Sequence, residues 1–212
     1  MRILTIEDCK QLELYWHSYD NGDYHYEVDG FCHLIRDGKD LLKGLRATFS
    51  YSYDNGDYKY EVGGFWHLIR DGKDLLEGLK ATWCHSYNNG DYKYEVGGFY
   101  HLIRDGKDLL KGLKANSCHS YNNGDYKYEV GGFCHLIRDG KDLLKGLKAN
   151  SCHSYNNGDY TYKVDGIWHL IREGKDLLKG IKATWFYPHK NGDYTYYVDD
   201  QYVRLNKNGD KL

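Results

Sequence analysis

The chain has no long hydrophobic run, little net charge and no recognisable export signal, and each absence excludes a class of protein. No stretch approaches the roughly 20 apolar residues that a transmembrane helix needs, so no membrane association is expected. A formal net charge of −2 gives no electrostatic sign of nucleic-acid binding. The opening residues 1–8 carry acidic groups too early for a signal peptide. A cytoplasmic location is the default expectation, and export by an unrecognised route stays open.

The six cysteines form no disulfide framework. The position that is Cys32 in one part of the chain becomes Trp66, Tyr100, Cys134 and Trp168 further along. A disulfide framework would keep its partners, so we expect reduced structural thiols.

What the chain does have is a 34-residue internal repeat. The dipeptide Asn-Gly recurs at this interval from Asn21-Gly22 to Asn191-Gly192, giving six copies. A fixed period of this size is typical of solenoids, propellers and arrays, in which each copy is one supersecondary unit.

Each copy carries two hairpin signals, shown here for the third. Asn89-Gly90 separates residues 81–87 from 92–96, and Asp105-Gly106 separates residues 99–103 from 107–110. Both dipeptides tolerate the positive φ angles of two-residue hairpin turns. The flanking Tyr, Trp, Val, Ile and Thr suit strands. Each copy is therefore predicted to form about four short strands, or two hairpins.

The side-chain pattern predicts how these strands are exposed. In the second strand Tyr92, Tyr94 and Val96 alternate with charged residues, which predicts one buried face and one wet face. The third strand, 99–103, is apolar on both faces and should lie centrally. The segment 107–115 is predicted to be a short strand that bends at its glycine, because glycine costs about 1 kcal/mol inside a helix.

The fold class that follows is all-β, with tandem 34-residue β-hairpin repeats forming an open array or solenoid. A six-bladed β-propeller is the alternative. Residues 1–10 match no repeat and are read as a leader or cap, and 11–212 as one domain of six copies. The last copy, about 181–212, is read as a diverged cap, because Gln201 and Arg204 stand where other copies have apolar residues.

The repeat resembles the bacterial WG (KWG) β-repeat family. Corresponding residues fall at similar spacings over nearly the whole chain: Trp66-His-Leu-Ile69, Gly72-Lys73, Leu75-Leu76, Tyr87, Gly90 and Val96. The resemblance implies an all-β repeat protein of bacterial origin, and it implies no active site.

Histidine and cysteine recur, and they are the candidates for chemistry. Adjacent residues on a strand point to opposite faces, so a pair such as Cys84-His85 does not chelate one ion easily. We expect no metal and no cofactor, and expect the histidines to bond a neighbouring backbone group or a Tyr hydroxyl. Catalytic residues are usually single, whereas these occur in several equivalent copies. The Asn-Gly-Asp segments are interpreted as Asx-capped turns rather than calcium loops. No catalytic residue is therefore assigned, and the protein is expected not to be an enzyme.

The positions that vary between copies are aromatic. Trp66 accompanies Trp83, and Trp168 accompanies Trp185, which suggests that such pairs touch although they are half a repeat apart. Our leading hypothesis is a non-enzymatic scaffold that binds a protein partner along an extended aromatic face, since Trp and Tyr dominate binding hot spots. The alternative is a multivalent carbohydrate binder with equivalent sites. The candidate binding residues are Trp16, Trp66, Trp83, Trp168 and Trp185.

Overall fold

The computed structural model describes residues 2–189 and 191–212 and shows an all-β chain in which each 34-residue copy forms its own antiparallel sheet. The predicted class, all-β with tandem repeats, is confirmed. Strands lie in chain order within every sheet, so each copy is a simple meander of hairpins. The chain divides into two compact units, Met1–Lys111 and Gly112–Leu212.

The first unit contains one short helix followed by three four-stranded sheets. Its elements are the helix Ile6–Gln11 (α1) and the strands Trp16–Ser18 (β1), Tyr24–Val28 (β2), Phe31–Arg36 (β3), Lys39–Asp40 (β4), Phe49–Ser52 (β5), Tyr58–Val62 (β6), Phe65–Arg70 (β7), Lys73–Asp74 (β8), Trp83–Ser86 (β9), Tyr92–Val96 (β10), Phe99–Arg104 (β11) and Lys107–Asp108 (β12).

The second unit contains two four-stranded sheets and a final sheet of three strands. Its strands are Ser117–Ser120 (β13), Tyr126–Val130 (β14), Phe133–Arg138 (β15), Lys141–Asp142 (β16), Ser151–Ser154 (β17), Tyr160–Val164 (β18), Ile167–Arg172 (β19), Lys175–Asp176 (β20), Trp185–Pro188 (β21), Tyr194–Val198 (β22) and Gln201–Leu205 (β23).

In the five four-stranded sheets, two of the three turns are dipeptides that end in glycine. Gly63 and Gly64 have φ angles of 60° and 84°, and Asp71 and Gly72 have 49° and 73°. Positive φ at both central positions gives the type I′ turn that matches the twist of paired strands. The Asp-Gly hairpin is therefore confirmed, and Gly-Gly makes a further hairpin where the sequence predicted only a break.

The Asn-Gly turn differs from the predicted two-residue form. Gly56 has φ 87°, whereas Asn55 is not in the left-handed region. The Tyr53 amide donates to Asp57 O at 2.9 Å and the Gly56 amide donates to Tyr53 O at 3.0 Å, which closes a longer loop. The Asn55 side-chain oxygen accepts from the Asp57 amide at 3.1 Å. The predicted Asx capping is thus confirmed, and it selects this longer loop.

The segment after the Asp-Gly turn is strand for only two residues, as in Lys107–Asp108. In the second copy Asp74 Oδ1 accepts from the Leu76 amide at 2.9 Å, so the chain leaves the sheet at once. A turn then closes with Leu79 N donating to Leu76 O at 2.9 Å. The prediction of a short strand over 107–115 that bends at its glycine holds for Lys107–Asp108 alone, because an aspartate competes with the ladder for the backbone.

The predicted wet face of the second strand is also wrong. Lys59 is only 8% exposed and Asp91 only 2%. The reason is that the next sheet covers this face: Lys59 Nζ donates to Cys84 O at 2.9 Å. Each inner strand is thus packed on both sides, with Leu68 and Leu102 of the third strands fully buried. The third strand lies inside the sheet, as predicted.

The leader packs on the outer face of the first sheet. Thr5 caps helix α1 through a reciprocal pair of hydrogen bonds with Asp8. The Tyr24 hydroxyl donates to Leu4 O at 2.9 Å, and the buried Cys9 joins Tyr26 in one apolar cluster. These contacts cover a face that has no preceding sheet within residues 2–15.

Candidate binding site

Within each unit a buried carboxylate joins one sheet to the following one, and sequence reasoning missed it. Asp23 is 3% exposed and receives Arg36 Nε at 3.0 Å and Arg36 Nη2 at 2.6 Å. The Ser52 hydroxyl of the following sheet also donates to it. Arg36 Nη1 reaches across to Gly56 O at 2.8 Å. The group is therefore a hydrogen-bonded joint between sheets.

The same joint recurs in both units, with Asp57 and Arg70 in the first and Asp125 and Arg138 in the second. Where Pro188 replaces the serine, the Tyr194 hydroxyl donates to Asp159 at 2.6 Å instead. The signal that would have revealed it is the unbroken recurrence of the aspartate in six copies and the arginine in five.

Charge pairing holds the carboxylates of Asp23 and Asp125 ionised. Burial opposes ionisation of Asp23, but hydrogen bonds from Arg36 and Ser52 outweigh it and lower its pKa below the usual value. Asp125 behaves alike: burial opposes its charge, and Arg138 and Ser154 lower its pKa. The arrangement neutralises and positions charge inside the fold.

Histidine–aspartate pairs are the most enzyme-like groups in the chain. His67 Nδ1 lies 2.7 Å from Asp74 Oδ2, and the Tyr60 ring stacks on the imidazole at 4.8 Å. Equivalent pairs occur at His33, His101, His135 and His169. The partner is a carboxylate, not the backbone group or Tyr hydroxyl that the sequence suggested. The carboxylate also caps a turn, as described above, so the pair has a structural task in each of these five copies.

The cysteines are free thiols, all six of them buried. Burial raises the pKa of Cys84 to about 12, which keeps this thiol protonated and unreactive. Within residues 2–189 and 191–212 no group of three or more His, Cys, Asp or Glu side chains is placed to hold a metal ion.

Two of the tryptophans selected from the sequence flank a buried lysine. Lys59 Nζ lies 4.5 Å from the Trp66 ring centroid and 5.4 Å from that of Trp83. The ammonium therefore sits between two indoles on neighbouring sheets, a favourable cation–π arrangement. Burial lowers the pKa of this lysine.

The ring contacts follow a register different from the hypothesised pairing of Trp66 with Trp83. The Phe49 and Trp66 rings lie 5.2 Å apart, and those of Trp83 and Tyr100 lie 6.0 Å apart. These pairs are also half a repeat apart in the chain, but each lies within one sheet, across its second strand. Trp66 and Trp83 are linked instead through the lysine that they share.

The last sheet carries the most exposed aromatic group. Trp185 is stacked on Tyr187 at 5.9 Å and contacts Tyr202 edge-on at 5.7 Å. The three residues are 44%, 51% and 72% exposed. Trp168 lies apart from this group, with Phe186 at 6.3 Å and Lys163 Nζ at 5.6 Å.

Trp16 belongs to another setting. It is half-buried against the leader, in the cluster of Cys9 and Tyr26, with Lys10 Nζ 5.8 Å from its ring. In the repeat it aligns with Ser50, whereas Tyr15 aligns with the aromatic position of Phe49. The structure thus joins Trp16 to the leader rather than to the other candidates.

Equivalent grooves also occur in both units. One of 440 Å³ is lined by Arg36, Asn55 and Tyr58, and its counterpart, also 440 Å³, by residues including Arg138 and Asn157. Their arginines are already engaged with the buried aspartates. The grooves are polar and open.

The comparisons with known proteins leave the chain without a family. No protein-family model matches it, and no curated protein matches it. No helix in residues 2–189 and 191–212 has the length and apolar character to cross a membrane.

Solved structures resemble the chain at low similarity. YCF48 bound to a D1 peptide is 9% identical, with a TM-score of 0.38 over 90% of this chain and 74% of that one. The WD40 β-propeller domain of Doa1 is 13% identical, with a TM-score of 0.36 and coverages of 90% and 77%. PorZ of Porphyromonas gingivalis is 10% identical, with a TM-score of 0.36, and the match covers 93% of this chain but 38% of PorZ. At these values none of the similarities indicates a function for this chain.

Proposed function

We propose that this protein is a non-enzymatic repeat scaffold that binds a protein partner through its variable aromatic positions. The observation that carries the proposal is the exposed group of Trp185, Tyr187 and Tyr202 in the last sheet. Clustered, rigid and partly exposed aromatic side chains supply large contact area at low entropic cost, as in binding hot spots.

The aromatic positions of the first unit support the same proposal. Phe49 is 43% exposed, and its ring contacts that of the half-buried Trp66. Lys93 Nζ lies 4.8 Å from the Trp83 ring and 5.6 Å from the Tyr100 ring. Rings interleaved with ammonium groups suit a partner that offers apolar side chains together with carboxylates.

Site-specific photo-crosslinking tests the proposal. The variant Tyr187→p-benzoylphenylalanine, irradiated in a lysate of the source organism, should give a discrete crosslinked species. Adding Trp185→Ala should remove that species, because the ring stacked on position 187 is lost. A matched control is Leu147→Ala, which truncates another exposed apolar side chain of the same unit, 43% exposed. If Leu147→Ala removes the species and Trp185→Ala leaves it, this aromatic group is not the binding face.

A multivalent carbohydrate binder is the second candidate. It is favoured by the equivalent 440 Å³ grooves with asparagine and tyrosine in their walls. Weak equivalent sites would add by avidity. A glycan array separates the two candidates, since saturable binding of one sugar class would favour the grooves and its absence would remove this candidate.

Three further predictions accompany the proposal. The absence of enzyme activity rests on the recurrence of the same His–Asp pair in five copies. Cys32 and Cys134 stand directly before two of these histidines, and adjacent residues on a strand point to opposite faces. The cytoplasmic location stays a prediction from the sequence. Kinship with the WG repeat also stays a prediction, supported by the residue spacing alone.

A further inference from the structure

Six equivalent positions form a box between neighbouring sheets. In the second copy, Phe49, Lys59, Glu61 and Trp66 come from one sheet, and Trp83 and Cys84 come from the next. Phe49 pairs with Glu61, and Glu61 pairs with Trp66, so these three lie in one row across the sheet. The ammonium of Lys59 fills the box, held by two indoles and by the carbonyl of Cys84.

Other copies keep a lysine in this box. Lys93 in the third copy lies against Trp83 and Tyr100. Lys127 in the fourth donates to Cys152 O at 3.0 Å. In the fifth copy Lys163, displaced by two residues along the strand, lies 5.6 Å from Trp168.

The first copy lacks this cation and has a cavity in its place. His25 stands where the lysine is, and Cys32 stands where Trp66 is. The cavity measures 360 Å³, and its walls occupy the six box positions: Tyr15, His25, Glu27, Cys32, Phe49 and Ser50. That volume is within the range of small-ligand pockets. Phe49 also stands where Trp83 is, so the first box lacks both indoles and the lysine stem, which explains why space remains here.

The walls offer an aromatic ring and a backbone carbonyl at two of the positions that hold the ammonium in the second copy. Tyr15 and Phe49 supply the rings at the mouth, 62% and 43% exposed. Glu27 supplies the carboxylate. The carbonyl of Ser50 matches that of Cys84, and although it receives the Tyr19 hydroxyl at 3.3 Å it keeps a second lone pair.

The two buried polar side chains of the cavity differ: His25 Nδ1 lies 2.6 Å from the Tyr19 hydroxyl, whereas the Ser50 hydroxyl is unpaired among the described residues. Ser50 is 1% exposed, and its Oγ has no hydrogen-bond partner in the part of the chain that the structure describes. A buried hydroxyl without a partner is uncommon. His25 does not supply the missing cation: burial, and then the neighbouring His17, lower its pKa, so the imidazole is neutral near neutral pH.

We propose that this cavity between the first and second sheets binds an organic ammonium group, which takes the place that Lys59 fills in the next copy. Glu27 balances the charge, the rings of Tyr15 and Phe49 contact the cation, and Ser50 accepts a hydrogen bond from it. The ammonium comes from a free alkylamine or from a lysine side chain of another chain. The proposal does not rest on the scaffold function proposed above.

An NMR titration of the full chain tests the proposal. n-Butylammonium should shift the amide signals around Glu27 and Ser50 saturably, with a dissociation constant in the millimolar range expected of a single small cation. 1-Butanol, which has the same chain without the charge, should bind at least about tenfold more weakly. Equal binding of the two, or no saturable shift with butylammonium, would overturn the proposal.

Paired variants keep the result interpretable. Glu27→Gln should weaken butylammonium binding about tenfold. Glu61→Gln makes the same change in the box already filled by Lys59, and should leave the affinity unchanged. Cys32→Trp should abolish butylammonium binding by filling the cavity as Trp66 does. If Cys32→Trp does not fold, Phe49→Ala replaces it and should weaken butylammonium binding about fivefold, because one aromatic ring is lost. Equal effects of Glu27→Gln and Glu61→Gln would contradict the assigned site.

A second arm distinguishes the two sources of the ammonium. Nα-acetyl-lysine methylamide presents the same group on a peptide backbone. Affinity more than about tenfold above that of butylammonium favours a lysine of another chain. Equal affinity favours a free amine. The same experiment leaves the Trp185 group untouched, so failure here and failure of the scaffold proposal are separable.

Discussion

The buried Asp–Arg–Ser joints and the aromatic boxes both connect neighbouring sheets, but only the joints are nearly constant. The joint of Asp23 and Arg36 is repeated with the same partners at Asp57 and Asp125. The box position of Trp66 changes to Cys32, Tyr100 and Cys134. Removing one partner of a buried ion pair is strongly destabilising, since the other partner stays buried with an uncompensated charge. A half-exposed box tolerates change, because water or a ligand can replace what is lost. Constancy therefore indicates a structural group here, and variation indicates where to look for binding.

The difference between joints and boxes is tested most directly by neutralising the carboxylate of one joint. Asp23→Asn should lower the free energy of unfolding by roughly 3 kcal/mol, because Arg36 stays partly buried without its counter-charge. Urea unfolding measures the change. Asp20→Asn is the matched control: it makes the same change three residues away at an exposed site, where other copies already have Asn88 and Asn122. A loss as large for Asp20→Asn would show that charge alone, not the joint, is responsible.

A second test converts the filled box into an empty one. Lys59→Ala should cost about 1–2 kcal/mol, since the Cys84 carbonyl loses its donor and the indoles lose their cation. The vacated space should then accept alkylammonium. We expect the variant to recover stability on adding butylammonium, and its binding stoichiometry to rise from one site to two.

Lys59→Met is the control for this conversion. It removes the charge but keeps most of the side-chain volume, so it should not create a second site. The two boxes would not be equivalent if butylammonium restored the stability of Lys59→Met, or if it failed to restore that of Lys59→Ala.

The Asp-Gly turns could be predicted from sequence because they depend on local backbone chemistry. The turn at Asp71-Gly72 requires positive φ at both positions, and Asp-Gly is a dipeptide that tolerates it. The wet face could not be predicted, since alternation along a strand shows only that its two faces differ. What covers Lys59 is a carbonyl 25 residues away, and no local pattern contains it.

The aromatic pairing failed for a different reason. Positions 66, 83 and 100 are equally spaced, at half of the repeat. Spacing alone cannot say whether Trp83 meets Trp66 on the preceding sheet or Tyr100 on its own. The direct ring contact is with Tyr100, and the link to Trp66 passes through Lys59. The joint variation of the aromatic residues thus indicated that these positions are neighbours, but it did not indicate which two rings are in contact.

Acid should weaken the joints selectively. The pKa values of Asp23 and Asp125 are lowered in the folded chain: burial opposes this, and bonds from arginine and serine prevail. A carboxylate with a lowered folded pKa stabilises the fold fully above its unfolded pKa of about 4, and this stabilisation is lost as the pH falls through the folded value. Unfolding free energies measured across this range should fall with pH. The fall should be smaller in Asp23→Asn, and an unchanged slope would argue against an ionised joint.

The smallest expected effect lies in the empty box and concerns His25. Its pKa is lowered by burial and by His17, so the folded chain keeps the imidazole neutral below the ordinary value of about 6.5. When the imidazole does take up a proton, it places a positive charge beside the ammonium site. The titratable groups facing it are Glu27, Tyr15 and Cys32 of the cavity, with His17 and Tyr19 in ring contact.

Butylammonium affinity should therefore be constant above the ordinary histidine range and decrease by a few-fold as the pH falls through the folded pKa of His25. The comparison is with Lys59→Ala, whose new site has no histidine at the equivalent position and should hold its affinity over the same range. His25→Gln, which keeps a polar side chain without the titration, should flatten most of the dependence in the first box. A decrease that persists in His25→Gln would show that His25 is not the titrating group.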